Sequence, residues 1–140
     1  GDGGTPVGYL PLRQVFYRPD RLDAPSAVVP CQPLTEADGW CDDVRHADYN
    51  RHVQLPHLAR HEKLWLEDGV YDVIGVLGYN DDVGGAGRGS ATLLHVATKD
   101  MQPTAGCVSV SLSDLRWALQ QGLQGILISS ESRLLSTDEY

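Results

Sequence analysis

LLHVATKDMQPTAGCVSVSL, residues 93–112, is the stretch on which the reading of this chain turns. Alternation in ATLLHVA puts Leu93, His95 and Ala97 on one face of a strand, with Thr92, Leu94 and Val96 on the other. The same period in CVSVSL groups Cys107, Ser109 and Ser111 opposite Val108, Val110 and Leu112. Two neighbouring strands of this kind present an imidazole and a thiol to one cleft. A thiol near its ordinary pKa of about 8.5 is mostly protonated at neutral pH, and the thiolate is the nucleophile. An imidazole within hydrogen-bond reach takes that proton and later returns it to a leaving amine. Gly106, just before the cysteine, lets a carbonyl approach the backbone, and the amides there can cradle an oxyanion. The structural alternative is a buried cysteine with no chemistry, since cysteine is among the most buried residue types.

Several further motifs stand in a fixed order around this stretch. GSATLLHVA at 89–97 followed by PTAGCVSVSLSDL at 103–115 resembles the active-site segment of the YkuD-type L,D-transpeptidase catalytic domain. The resemblance is closer to a compact bacterial branch whose members carry GSAIFLHVA and PTxGCVAL. GDGGTPVGYLPL at 1–12, GWCDDV at 39–44, YNRHVQLP at 49–56 and YDVIGVLGYND at 71–81 agree in the same order. The likeness runs from Gly1 to about Ile128, which implies a catalytic domain over 1–129 and a C-terminal tail over 130–140.

The resemblance implies a mainly β domain, a sheet sandwich with one or two helices. It also implies a cysteine-dependent acyltransferase acting on peptidoglycan stem peptides, a donor and a diaminopimelate acceptor, at the cell envelope or periplasm. Cys107 is the implied nucleophile and His95 its base, oriented by the carbonyl of Val96, with the oxyanion on the amides around Gly106. Asn80, Ser90, Thr104, Ala105, Ser109, Trp40 and Asp42 are the implied substrate contacts, and Thr5, Pro6 and Gly8 border the cleft. A carbapenem would form its adduct on Cys107, and neither a metal nor an organic cofactor is required.

The chain also departs from the family pattern. Where the common motif is SHGCxR this chain has TAGCVS, so Ala105 replaces a histidine and Ser109 an arginine. The altered pocket leans toward a shorter donor, with a 1,3 link from L-Ala to diaminopimelate in place of a 3,3 link. An L,D-carboxypeptidase or endopeptidase would use the same pair, and a non-catalytic wall-binding module is the remaining alternative.

Composition bounds the rest. The 140 residues suit one domain, and 41% hydrophobic with 21% charged residues is ordinary for a globular chain. A net charge of −8, with Lys63 and Lys99 the only lysines, argues against nucleic acid, which is bound through clustered cations. No apolar run approaches the roughly 18 residues of a membrane span. The chain opens on Gly1 with no basic-plus-apolar leader, which reads as a processed or trimmed chain. Of three cysteines, Cys31 and Cys41 can pair and leave Cys107 free, or Cys41 is a buried small hydrophobe. His57 and His61 have i, i+4 spacing, but HLARHE is not HExxH and no third ligand is spaced to join them, so no metal site is expected.

Tyr9–Tyr17 reads as a strand with imperfect alternation, and 18–56 as a long proline-rich connection. His57–Asp68 reads as a short helix closed by Gly69. Tyr71–Gly78 reads as a strand buried on both sides, and GGAGRG at 84–89 as a loop, since the GK[ST] of a phosphate loop is missing. A helix capped by Ser113 stops at Gly122, and Gly125–Ser129 closes the domain as a strand.

Overall fold

The computed structural model describes residues 8–78, 92–98 and 108–128. These form nine strands and one helix: β1 (Gly8–Tyr17), β2 (Cys31–Pro33), β3 (Asp38–Cys41), β4 (His52–Gln54), β5 (His61–Lys63), β6 (Val73–Leu77), β7 (Thr92–Val96), β8 (Val108–Val110), α1 (Leu112–Gln120) and β9 (Gly125–Ile128). The domain is mainly β, as the sequence implied.

Six strands make the larger sheet, in the order β2-β1-β6-β7-β8 with β9 added to β1. β1 is its hub. Residues 8–11 pair antiparallel with β9, whereas 12–17 pair antiparallel with β6, and the register shifts between Leu12 and Gln14. That bulge explains the imperfect alternation. Leu10 and Leu12 face one core, and after one extra residue the same face is carried by Val15.

The two faces of this sheet are covered differently. On one, Leu10, Leu12, Val15, Val73, Leu77, Leu94 and Val96 pack against Leu115 and Leu119, one helical turn apart on α1. On the other, Phe16, Ile74 and Leu93 pack against Leu34, Trp40, Leu64 and Tyr71. Trp40 belongs to β3 of a second, three-stranded sheet in the order β4-β3-β5, so the small sheet lies across the large one. β7 is therefore buried on both faces along its whole length.

Four sequence expectations are corrected. The region 18–56 is not one irregular connection, because it contributes β2, β3 and β4. His57–Asp68 is not a helix. Residues 61–63 pair with Gly39–Cys41 as β5, and Leu58 of the expected apolar face is fully exposed. Sheet pairing there overrides a short helical pattern. The helix cap is Ser111, not Ser113: the Ser111 Oγ accepts from the Asp114 N–H at 3.2 Å. Gly122, at φ +94°, does end the helix.

The fourth correction concerns the thiols. Cys31 and Cys41 are both free, so they form no disulfide. Cys31 pairs with Val15 at the edge of the large sheet, while Cys41 is buried with Val53 and Ala59 against the small one. Ser129, the tail over 130–140, the Gly-rich stretch 84–89, Thr5 and Pro6 lie outside the described residues.

Candidate active site

His95 sits in the middle of β7 and is only 2% exposed. Leu94 and Val96 point to the helix-covered core, so alternation sends His95 and Leu93 the other way, toward the small sheet. There the ring of Tyr71 meets the imidazole edge-on, with centroids 5.8 Å apart and an interplanar angle of 86°. The Tyr71 hydroxyl donates to Glu62 Oε1 at 2.5 Å, and Glu62 is the β5 partner of Trp40. The His95 Nδ1 lies 3.4 Å from the carbonyl oxygen of Val96, a long contact that favours a proton on Nδ1 and leaves the Nε2 lone pair for chemistry.

Electrostatics set the resting state of this ring. Burial pushes the imidazole below its ordinary range, opposed by the Val96 carbonyl and by the Glu62 carboxylate, both of which favour the charged form. At neutral pH His95 is held uncharged, the form a base needs.

β8 runs parallel to β7, with Leu94 opposite Val108, His95 opposite Ser109 and Val96 opposite Val110. Val108, Val110 and Leu112 pack on the helix-side core. Ser109 is exposed, in register with the imidazole. Cys107, Gly106, Thr104, Ala105, Asn80 and Ser90 lie outside the described residues. β8 begins one residue after Cys107.

The other two implied contacts are engaged within the fold. Trp40 is 6% exposed, packs with Leu93 and Tyr71, and donates its indole N–H to Asn50 Oδ1 at 2.9 Å. Asp42 accepts from Arg60 Nε at 3.1 Å through Oδ1 and from Arg60 Nη2 at 2.8 Å through its main-chain oxygen. Trp40 thus packs between the two sheets, and Asp42 bonds across to Arg60.

A buried, neutral imidazole beside a parallel strand that follows Gly-Cys is the geometry around which the chain's wider similarity falls into place. A family model, the YkuD L,D-transpeptidase catalytic domain, matches residues 1–127. The chain belongs to that family. Searches of curated proteins and of solved structures returned no match. YkuD domains are cysteine-dependent and act on peptidoglycan stem peptides, so the chain carries an L,D-transpeptidase-family function. Among the described residues no helix is long and apolar enough to cross a membrane.

Within this YkuD domain, sequence reasoning missed Tyr71 and Glu62. Tyr71 was read only as the start of an apolar run, and Glu62 fell within the expected helix. The two bond across nine residues of irregular chain, which no local period reveals.

Proposed function

We propose that this YkuD domain is a peptidoglycan L,D-transpeptidase that crosslinks stem peptides through a thioester on Cys107. The observation that carries the reading is the uncharged His95 on β7, in register with β8 directly after Cys107. Cys107 immediately precedes β8 in the sequence, and β8 is the strand that pairs with β7.

His95 Nε2 takes the thiol proton as the sulfur attacks the donor carbonyl. The amides around Gly106 and Cys107 receive the oxyanion. Collapse expels the leaving amine, which takes the proton from the imidazolium, and the acyl group remains on sulfur as a thioester. The side-chain amine of diaminopimelate on a second stem then attacks, gives its proton to His95 and releases the thiolate. Asn80, Ser90, Thr104, Ala105, Ser109, Trp40 and Asp42 are the residues this reading assigns to substrate contact. With Ala105 and Ser109 in place of the common histidine and arginine, a short donor and a 1,3 link are favoured over a 3,3 link. The substrate sets the location at the cell envelope, in the periplasm.

The test incubates the protein and its Cys107→Ala variant with defined muropeptides, read by mass spectrometry. Cysteine-dependent dimers are expected, and their fragmentation reports whether the donor ends at residue one or three. Shortened stems without dimers would make the domain a carboxypeptidase or endopeptidase. Turnover that survives Cys107→Ala would overturn the mechanism. No turnover by a folded protein would leave a wall-binding module. Incubation with a carbapenem is expected to add its mass to the protein and not to the alanine variant.

A further inference from the structure

The small sheet carries a cluster that the reaction does not use. The β3–β4 loop holds His46 and Asp48. The β4–β5 connection, residues 55–60, must cross the sheet to bring His61 opposite Cys41, and it covers Cys41 and Val53 with Ala59. This crossing lowers His57 onto the β3–β4 loop. His57 Nε2 lies 3.0 Å from Asp48 Oδ2, and His46 Nδ1 lies 3.8 Å from the same oxygen. The two imidazoles meet edge-on at 4.9 Å between centroids.

From these three side chains we propose a divalent transition-metal site, of the zinc or nickel class, that clips the β3–β4 loop to the β4–β5 crossing. One donor atom from each of His46, Asp48 and His57 lies within 4.8 Å of the other two. Donors around a tetrahedral zinc with bonds near 2.0–2.1 Å sit roughly 3.3 Å apart, a separation that the 3.0 and 3.8 Å contacts bracket. Two imidazoles and one carboxylate suit a borderline cation better than calcium or magnesium, which prefer oxygen alone. Water completes the coordination.

The surroundings define what the ion must displace. His46 Nδ1 accepts from the Asp48 main-chain N–H at 2.9 Å, a bond that the ion replaces when it takes that lone pair. The His57 Nδ1 faces Ala59: it accepts from the Ala59 N–H at 3.2 Å and lies 3.5 Å from the carbonyl oxygen, to which it can donate once the ion holds Nε2. A metal-bound histidine usually donates its second N–H to such a carbonyl, which fixes the ring. Binding replaces the proton shared between His57 and Asp48 with the ion. His61 edges on His57 at 6.2 Å and bonds the Ala59 oxygen through Nδ1, outside the donor set. The site was invisible to spacing because its three donors come from two different loops.

The experiment titrates tag-free Cys107→Ala protein, which removes the proposed nucleophilic thiol as a competing ligand, with zinc chloride by calorimetry. Nickel or cobalt is added in a parallel NMR titration. A single zinc ion is expected to bind, with a raised thermal midpoint that chelator reverses. His46→Ala, Asp48→Asn and His57→Ala should each weaken binding by about tenfold or more, and His61→Ala should leave it within a factor of about two. Paramagnetic nickel or cobalt should broaden the His46 and His57 ring signals before those of His52. The NMR readout uses no substitution in the cluster, so it stands even if one of those variants misfolds. Absence of saturable binding, or binding that survives all three substitutions, would refute the site, as would broadening that begins elsewhere.

Discussion

Tyr71 is the strongest lever on the imidazole, and two substitutions near it should move His95 in opposite directions. The ring of Tyr71 is 7% exposed and forms one wall of the pocket holding His95. Tyr71→Ala removes that wall. Deleting a buried aromatic side chain costs about 3–5 kcal/mol, and here it also admits water to the imidazole. Burial is the main reason His95 is hard to protonate, so hydration should raise its pKa toward the ordinary value of about 6.5. Glu62→Gln acts on the opposing influence. It removes a carboxylate that favours the charged ring, so the pKa should fall further. Tyr71→Phe keeps the wall and loses only the hydroxyl bonded to an exposed carboxylate, at a cost of about 0.5–1.5 kcal/mol. The assay is an NMR titration of the His95 ring proton, with urea denaturation to report stability. Refutation would be a Tyr71→Ala titration that matches the parent, or a Glu62→Gln shift in the same direction as Tyr71→Ala. Either result would mean that the imidazole is not held neutral by this pocket.

Three further outcomes follow from the fold. His95 has a folded pKa below its unfolded value, so its contribution to stability is complete above about pH 6.5 and is lost as pH falls through the folded value; a His95→Gln chain should show a flatter stability profile over that window in urea melts at stepped pH. Asp38 is 2% exposed, and its carboxylate accepts from the Thr35 N–H at 2.7 Å, Gln54 at 2.8 Å and His52 at 2.6 Å. Burial alone would raise its pKa, yet these bonds together pull it down, so Asp38→Ala should cost about 3 kcal/mol at neutral pH, the lower end for a broken buried pair because His52 is part exposed. That deficit should shrink as acid protonates the parent carboxylate, and a loss below 1 kcal/mol, roughly the worth of a surface pair, would count against the network. Ser111→Ala should lower stability by about 1 kcal/mol, whereas Ser113→Ala should change it by less than half of that; the reverse order in thermal melts would return the cap to Ser113.

What the sequence disclosed, and what it hid, follows from which contacts are local. Alternation in β7 sorts its side chains correctly, because Leu94 and Val96 reach one core and Leu93 the other. The apolar run beginning at Tyr71 does contain a strand buried on both sides, and Gly122 does end the helix. The second sheet was missed because β4 and β5 are three residues each, too short for a period to register, and only pairing with Gly39–Cys41 makes them strands. The Cys31–Cys41 pairing failed for a related reason: a ten-residue separation suggests proximity, but the two residues sit on different sheets. Tyr71, Glu62 and the His46–Asp48–His57 cluster all depend on where that small sheet settles, so no reading that missed the sheet could find them.

One structural demand ties the fold to the chemistry. A strand in the interior of a sheet covered on both faces ordinarily carries apolar side chains alone, and β7 obeys this at Leu93, Leu94 and Val96. The single imidazole in that run is tolerable only uncharged, since burying an unpaired cation costs far more than burying a neutral ring with a hydrogen-bond partner. Placing the small sheet and Tyr71 over that face therefore completes the core and prepares a base in the same step. Were His95 a purely structural residue, a neutral isostere such as glutamine or an apolar ring would serve the core at least as well. With His95 as the base, His95→Phe should preserve or raise stability while abolishing thioester formation. A variant that kept its reaction with muropeptides would separate the imidazole from the chemistry altogether.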